Sequence, residues 1–133
     1  MVRIGLITIV TNRLAEMKSF YEDTLGFECI EELEGYVEFR SLGVRFALTT
    51  DKVMHDATGY SSYLDSKSGQ RFELAFPIAD ATLVEDSYDR IIANGAMPVS
   101  PPKLMPWGRV TAFFADPDGN VHELYSLKES EEI

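Results

Sequence analysis

Two glutamates stand in apolar, strand-like runs: Glu73 in "FELAFPI" and Glu123 in "FFADPDGNVHELYSL". A bare carboxylate is costly to bury, so each position is a metal ligand, an acid/base group, a polar contact for a ligand, or a side chain that reaches water. Like charges held close raise one pKa, as does burial, so a facing pair can share a proton near neutrality. Such a pair suits acid/base chemistry, and it suits recognition of an amine, guanidine or hydroxyl group equally well. Pairing with Arg45, Arg71 or Arg109 would leave it without chemistry. The segment "PPKLMPWGR" adds rigid apolar surface through Met105 and Trp107, with Arg109 as an anion contact. Trp107 also fits a subunit-interface anchor or a core residue.

The remaining reactive residue types offer less. Strand alternation turns His122 away from the face that Glu123 occupies and into packing, which leaves His55 as the one histidine able to join a metal site. Cys29 is the single cysteine, so no internal disulfide can form, and it reads as a strand residue. The sequence has no glycine-rich phosphate loop after a strand, no Cys/His spacing for structural zinc and no nucleophile elbow.

The elements that position these residues follow one plan twice. Ile4 to Val10 is rich in β-branched residues, and Leu14, Met17, Tyr21 and Leu25 then recur at helical spacing. Thr11 or Asn12 can cap this helix and Gly26 can end it. Three strand-like runs follow, "FECIEEL", "YVEFRS" and "VRFALTT". In the second half, "FELAFPI" is a strand and "TLVEDSYDRIIANG" a helix, with Thr82 and Glu85 as a capping box and Gly95 as terminator. "AMPVS", "RVTAFFA" and "NVHELYSL" complete the set. Laying "LGVRFALTT" over "DGNVHELYS" matches Gly43 with Gly119, Phe46 with His122, Ala47 with Glu123 and Leu48 with Leu124, so a βαβββ unit occurs twice.

These boundaries predict a single α+β domain over residues 1–133: a first unit at about 1–50, a polar linker at about 51–70, a second unit at about 71–127 and a charged tail at 128–133. The linker carries His55, Tyr60 and Tyr63. It is either a solvated connection or a loop that covers a site. A net charge of −10 without a basic cluster argues against nucleic acid as a partner. The N-terminal apolar run is too short for a membrane span and reads as a strand, so the expected location is cytoplasmic.

The paired βαβββ plan, "FYEDTLGF", "FELAF" and above all "MPWGRVTAFFADPDGNVHELY" resemble the vicinal oxygen chelate superfamily of glyoxalase I, extradiol dioxygenases and bleomycin-resistance proteins. The resemblance covers nearly the whole chain and implies two units that form a curved mixed sheet around a cleft, commonly in a homodimer. It also implies four metal-ligand positions, two per unit. The first falls on Leu6, fourteen residues before Phe20, and the second on Ala47; neither side chain can ligate a metal. The third and fourth fall on Glu73 and Glu123. A catalytic divalent site takes about three protein ligands, so the expectation is a protein that binds a small organic molecule without a complete metal site or other cofactor. Leu6, Ala47, Trp107, Arg109, Met105 and Tyr60 are then ligand-binding candidates. The alternative is a metal-dependent lyase or dioxygenase that uses Glu73 and Glu123 with a further ligand, and whether catalysis occurs stays open.

Overall fold

The structure, a computed structural model, describes residues 1–131. The β-branched run and the helical spacing after it become β1 (Leu6–Thr11) and α1 (Leu14–Ser19), and the chain continues through a π-helical turn, Phe20–Thr24. The Thr11 hydroxyl accepts the Arg13 N–H at the helix start (2.9 Å), and Gly26 ends the segment at φ 84°. Then come β2 (Cys29–Leu33), β3 (Tyr36–Phe39) and β4 (Arg45–Thr50). The strands form a mixed sheet in the order β1-β4-β3-β2, with β1 parallel to β4 and the other pairs antiparallel.

The second half repeats the plan. Its elements are β5 (Ala75–Ile78), a 3-10 turn at Ala81–Leu83, α3 (Val84–Ala93), β6 (Met97–Leu104), β7 (Val110–Ala115) and β8 (Val121–Ser126), with a helix, α2 (Asp51–Thr58), lying ahead of them in the chain. Its sheet order, β5-β8-β7-β6, is that of the first sheet, and β5 is likewise parallel to β8. The chain divides into two compact units, Met1–Ser68 and Gly69–Ile133.

Each unit has its own core. In the first, Val37, Phe39, Phe46 and Leu48 lie on one face of the sheet and are buried with Met17 and Tyr21 of the helical segment. Tyr21 meets Phe46 edge-on at 5.2 Å and lies 6.1 Å from Phe39, so aromatic packing supplies much of this core. In the second, Ala112, Phe114 and Leu124 are buried with Val84, Tyr88 and Ile91 of α3.

Three local expectations change. The stretch after residue 50, read as an irregular linker, begins with α2: the Thr50 hydroxyl accepts the Val53 N–H (3.1 Å) and Gly59 ends the helix at φ 69°. The second helix is not started by a Thr82–Glu85 box. Asp80 accepts the Thr82 N–H (2.8 Å), which puts a 3-10 turn ahead of α3. The fifth strand begins at Ala75, so Glu73 lies two residues before it. Of the charged tail, residues 132–133 fall outside the described residues, while Glu131 pairs with Arg109.

Candidate functional site

The turn "DPDGN" sets where β8 begins. Asp116 is buried and accepts from the backbone N–H groups of Asp118 (3.0 Å) and Asn120 (2.9 Å) and from the Asn120 side-chain amide (2.8 Å). Gly119 takes the left-handed corner at φ 83°. From there, alternation sends Val121, Glu123 and Tyr125 to one face and His122, Leu124 and Ser126 to the other, where all three are buried.

His122 is a structural residue. Its Nδ1 accepts the Leu74 N–H at 3.0 Å, so the ring proton belongs on Nε2, which faces an Asp116 carboxylate oxygen at 3.5 Å. The ring packs edge-on against both Phe76 and Phe114, at 6.2 and 6.0 Å, which in turn lie 6.1 Å from each other. This ties the backbone just ahead of β5 to β8. A second tie comes from Gln70, whose side-chain amide both donates to the Val121 carbonyl and accepts its N–H, each at 2.6 Å. Between these two clips the chain carries Glu73 up to β8.

Glu73 and Glu123 therefore meet. The Glu123 carboxyl is half-buried, and its pKa is raised above the usual carboxylate range. Burial is the main cause. The charge of Glu73 and a hydrogen bond with it add to the shift, and Arg109 opposes it weakly. Arg109 is otherwise committed: it donates to both Glu131 carboxylate oxygens (2.8 Å each) and to the Ser126 carbonyl (2.9 Å), and its guanidinium lies 5.3 Å from the Tyr125 ring centroid. Its availability to a ligand anion is correspondingly reduced.

The other expected residues are placed as follows. Met105 is buried, and Trp107 is 57% exposed on the turn between β6 and β7, which Met105 closes by accepting the Gly108 N–H at 2.9 Å. Leu6, Ala47 and Tyr60 belong to the first unit. Leu6 and Tyr60 are exposed, whereas Ala47 is fully buried. His55, in α2, lies 3.8 Å from Asp56.

Register carries the internal overlay of the two halves into the sheets. Ala47 pairs with Thr8 and Glu123 with Ala75, so Leu6 and Glu73 are also equivalent, each two residues earlier. A divalent metal implied by the resemblance would thus find two carboxylates in the second unit and an aliphatic pair at the matching positions of the first. Among the described residues no group of three or more His, Cys, Asp or Glu side chains is arranged to hold a metal ion. The donor set does not fit a complete chelate.

Two features were missed by reading the sequence. Thr111 is fully buried with its hydroxyl unpartnered among the described residues, directly across from Tyr125 on the Glu123 face. In the first unit, Glu38 pairs across strands with Ala47 and is only 5% exposed. It is held by Arg45 (Nε to Oε2, 2.9 Å; Nη2 to Oε1, 2.7 Å) and by the Tyr36 hydroxyl (2.6 Å). These bonds, Arg45 first, lower its pKa to about 2. The available signal was alternation in "YVEF", which puts Tyr36 and Glu38 on the face opposite Val37 and Phe39.

Comparison with known proteins agrees with this architecture. Residues 3–124 match the family model described as the Glyoxalase/Bleomycin resistance protein/Dioxygenase superfamily. The uncharacterized protein YraH of Bacillus subtilis (strain 168) is 26% identical over 125 residues, covering 91% of this chain and 95% of that protein. A glyoxalase/bleomycin resistance protein/dioxygenase from Nocardioides superposes with a TM-score of 0.87 at 25% identity, over 99% of this chain and 87% of that one. A family enzyme from Burkholderia phytofirmans PsJN superposes with a TM-score of 0.85 at 19% identity, over 96% of this chain and 100% of that one. With the family model matching nearly its full length and the doubled sheet in place, the chain belongs to the glyoxalase/bleomycin resistance protein/dioxygenase superfamily.

Proposed function

We propose that this chain binds a small organic molecule bearing an amine, guanidine or hydroxyl group, held by Glu73 and Glu123 without a complete metal site. The observation that carries this reading is the Glu123 carboxyl, half-buried beside a second carboxyl and raised in pKa by that burial and that neighbour. A ligand cation or donor placed between the two relieves the repulsion, which gives the site a preference for such groups. Half-buried Tyr125 and exposed Trp107 supply apolar surroundings in the same unit. The influence of the Glu73 carboxyl on Glu123 also supports a second reading, in which the pair acts as an acid/base couple on the bound molecule. The proposal extends to a cytoplasmic location and to a homodimer, the latter supported by the exposed apolar side chains of β6, Met97, Val99 and Leu104; light scattering on the eluting protein reads its mass.

A thermal-shift panel of aliphatic and aromatic amines, guanidines, polyols and matched carboxylates tests the binding reading. A ligand that binds the folded chain raises Tm by mass action. Cationic or hydroxylated compounds should raise it, and Glu73→Gln and Glu123→Gln should each abolish the rise. A panel in which only carboxylates act, or in which both variants respond like the parent, would contradict the proposal.

A further inference from the structure

The Glu38–Arg45–Tyr36 cluster lies in the first unit and takes no part in the function proposed above. Its geometry is specific. Glu38 occupies one edge of the guanidinium, the Nε and Nη2 edge, through two bonds of 2.9 and 2.7 Å. The Tyr36 hydroxyl donates to the same Glu38 oxygen that accepts Nη2. The carboxylate is nearly fully buried, whereas the Arg45 side chain is 61% exposed. The buried partner fixes the plane of the exposed one.

An arginine held by its side edge keeps its end edge, one N–H from each of Nη1 and Nη2, in the fork geometry that matches a planar oxyanion. Nη1 makes no hydrogen bond among the described residues. The side-chain entropy normally lost when an arginine captures a ligand has already been spent in the fold, so a bidentate contact here starts preorganised. The flanks differ: on the β2 side Glu31 pairs with Glu38 in register and its charge acts on Tyr36, whereas the rest is apolar. Leu6 pairs with Arg45 in register and is 39% exposed, and Leu33 pairs with Tyr36 and is 59% exposed. Equivalent positions of the second unit carry Val121 for Arg45, Phe113 for Glu38 and Thr111 for Tyr36, so the second unit has no such cluster.

We propose that Arg45, clamped by Glu38 and Tyr36, is a binding site for the carboxylate of a small organic acid with an apolar body. A carboxylate fits better than a phosphate dianion, because the cluster supplies one cation whose charge is already shared with Glu38. The site holds the ligand by two parallel N–H···O bonds at Nη1 and Nη2, with the body of the acid against Leu6, on the β1 side away from Glu31.

The test follows the arginine Nε–H resonance of Arg45 by NMR in the full chain during titration with sodium benzoate, sodium acetate, sodium phosphate and, at matched ionic strength, sodium chloride. The expected result is a saturable shift with benzoate, a weaker one with acetate, and none beyond the chloride control with phosphate. Arg45→Lys keeps the charge and loses the fork, and should weaken benzoate binding, followed on the Leu6 methyl groups, by roughly tenfold or more. The double variant Glu38→Gln, Arg45→Gln removes both charges together, so that no buried carboxylate is left unpaired, and should also lose the binding. An Arg45 signal that responds to benzoate only as it does to chloride, equal or stronger binding of phosphate, or unchanged benzoate affinity in Arg45→Lys would each overturn the proposal.

Discussion

At the scale of single residues, environment decides what two similar carboxylates do. Glu38 is more deeply buried than Glu123, yet its pKa falls to about 2 because Arg45 and Tyr36 bond to its charged form. Glu123 has no cation of its own, and its pKa rises. The sign of the consequence follows. A carboxyl raised in the folded state costs nothing below its unfolded pKa, and its cost is fully developed above the folded one. Glu123→Gln should therefore raise Tm at neutral pH, with the gain shrinking as pH falls through the raised folded-state pKa and gone once pH is below the ordinary glutamate value. Thermal melts of both proteins from pH 3.5 to 8 check this; a constant difference across that range would show that Glu123 does not titrate abnormally. Much at this scale was legible beforehand. Alternation in "NVHELYS" alone separated a packed His122 from Glu123 on the other face. The Glu38–Arg45 pair was not legible, because it depends on the β3–β4 register, which brings together residues seven apart.

At the scale of elements, the strands and the first helix follow from hydrophobic period and glycine corners, whereas α2 does not announce itself by period. Its residues, "DKVMHDAT", are polar enough to read as a connection. The signals lie at its ends, in Thr50 as cap and Gly59 as left-handed stop. What seats α2 is contact with the β2–β3 turn: a Cβ on Gly35 would lie 2.5 Å from a Val53 methyl, and Gly35 already needs φ 74°. Gly35→Ala should destabilise the protein by roughly 1–2 kcal/mol from the left-handed backbone alone, and more through the clash. Val53→Ala in the same chain should recover the second part. Denaturant unfolding of the two singles and the double measures the coupling; strict additivity would mean that helix and turn do not meet. Sequence boundaries failed in the same way at Asp80, where one aspartate moved the helix start by adding a 3-10 turn.

At the scale of the whole molecule, one supersecondary plan is used twice with different chemistry on the repeats. Identical strand orders and matching registers make Leu6 the counterpart of Glu73 and Ala47 that of Glu123. The family and the doubled plan were readable from "DPDGNVHEL" and the hairpin overlay. The division of labour needed both sheets: the second unit carries a carboxylate pair, and the first an arginine clamped by a buried glutamate. Leu6 and Ala47, at half of the positions that the resemblance implies, leave the pair short of the roughly three ligands that a catalytic divalent ion takes. The direct measurement is the metal content of the protein purified without chelators, beside Glu123→Gln prepared identically. The account predicts well under one transition-metal ion per chain in both. One ion per chain in the parent that disappears in Glu123→Gln would contradict it.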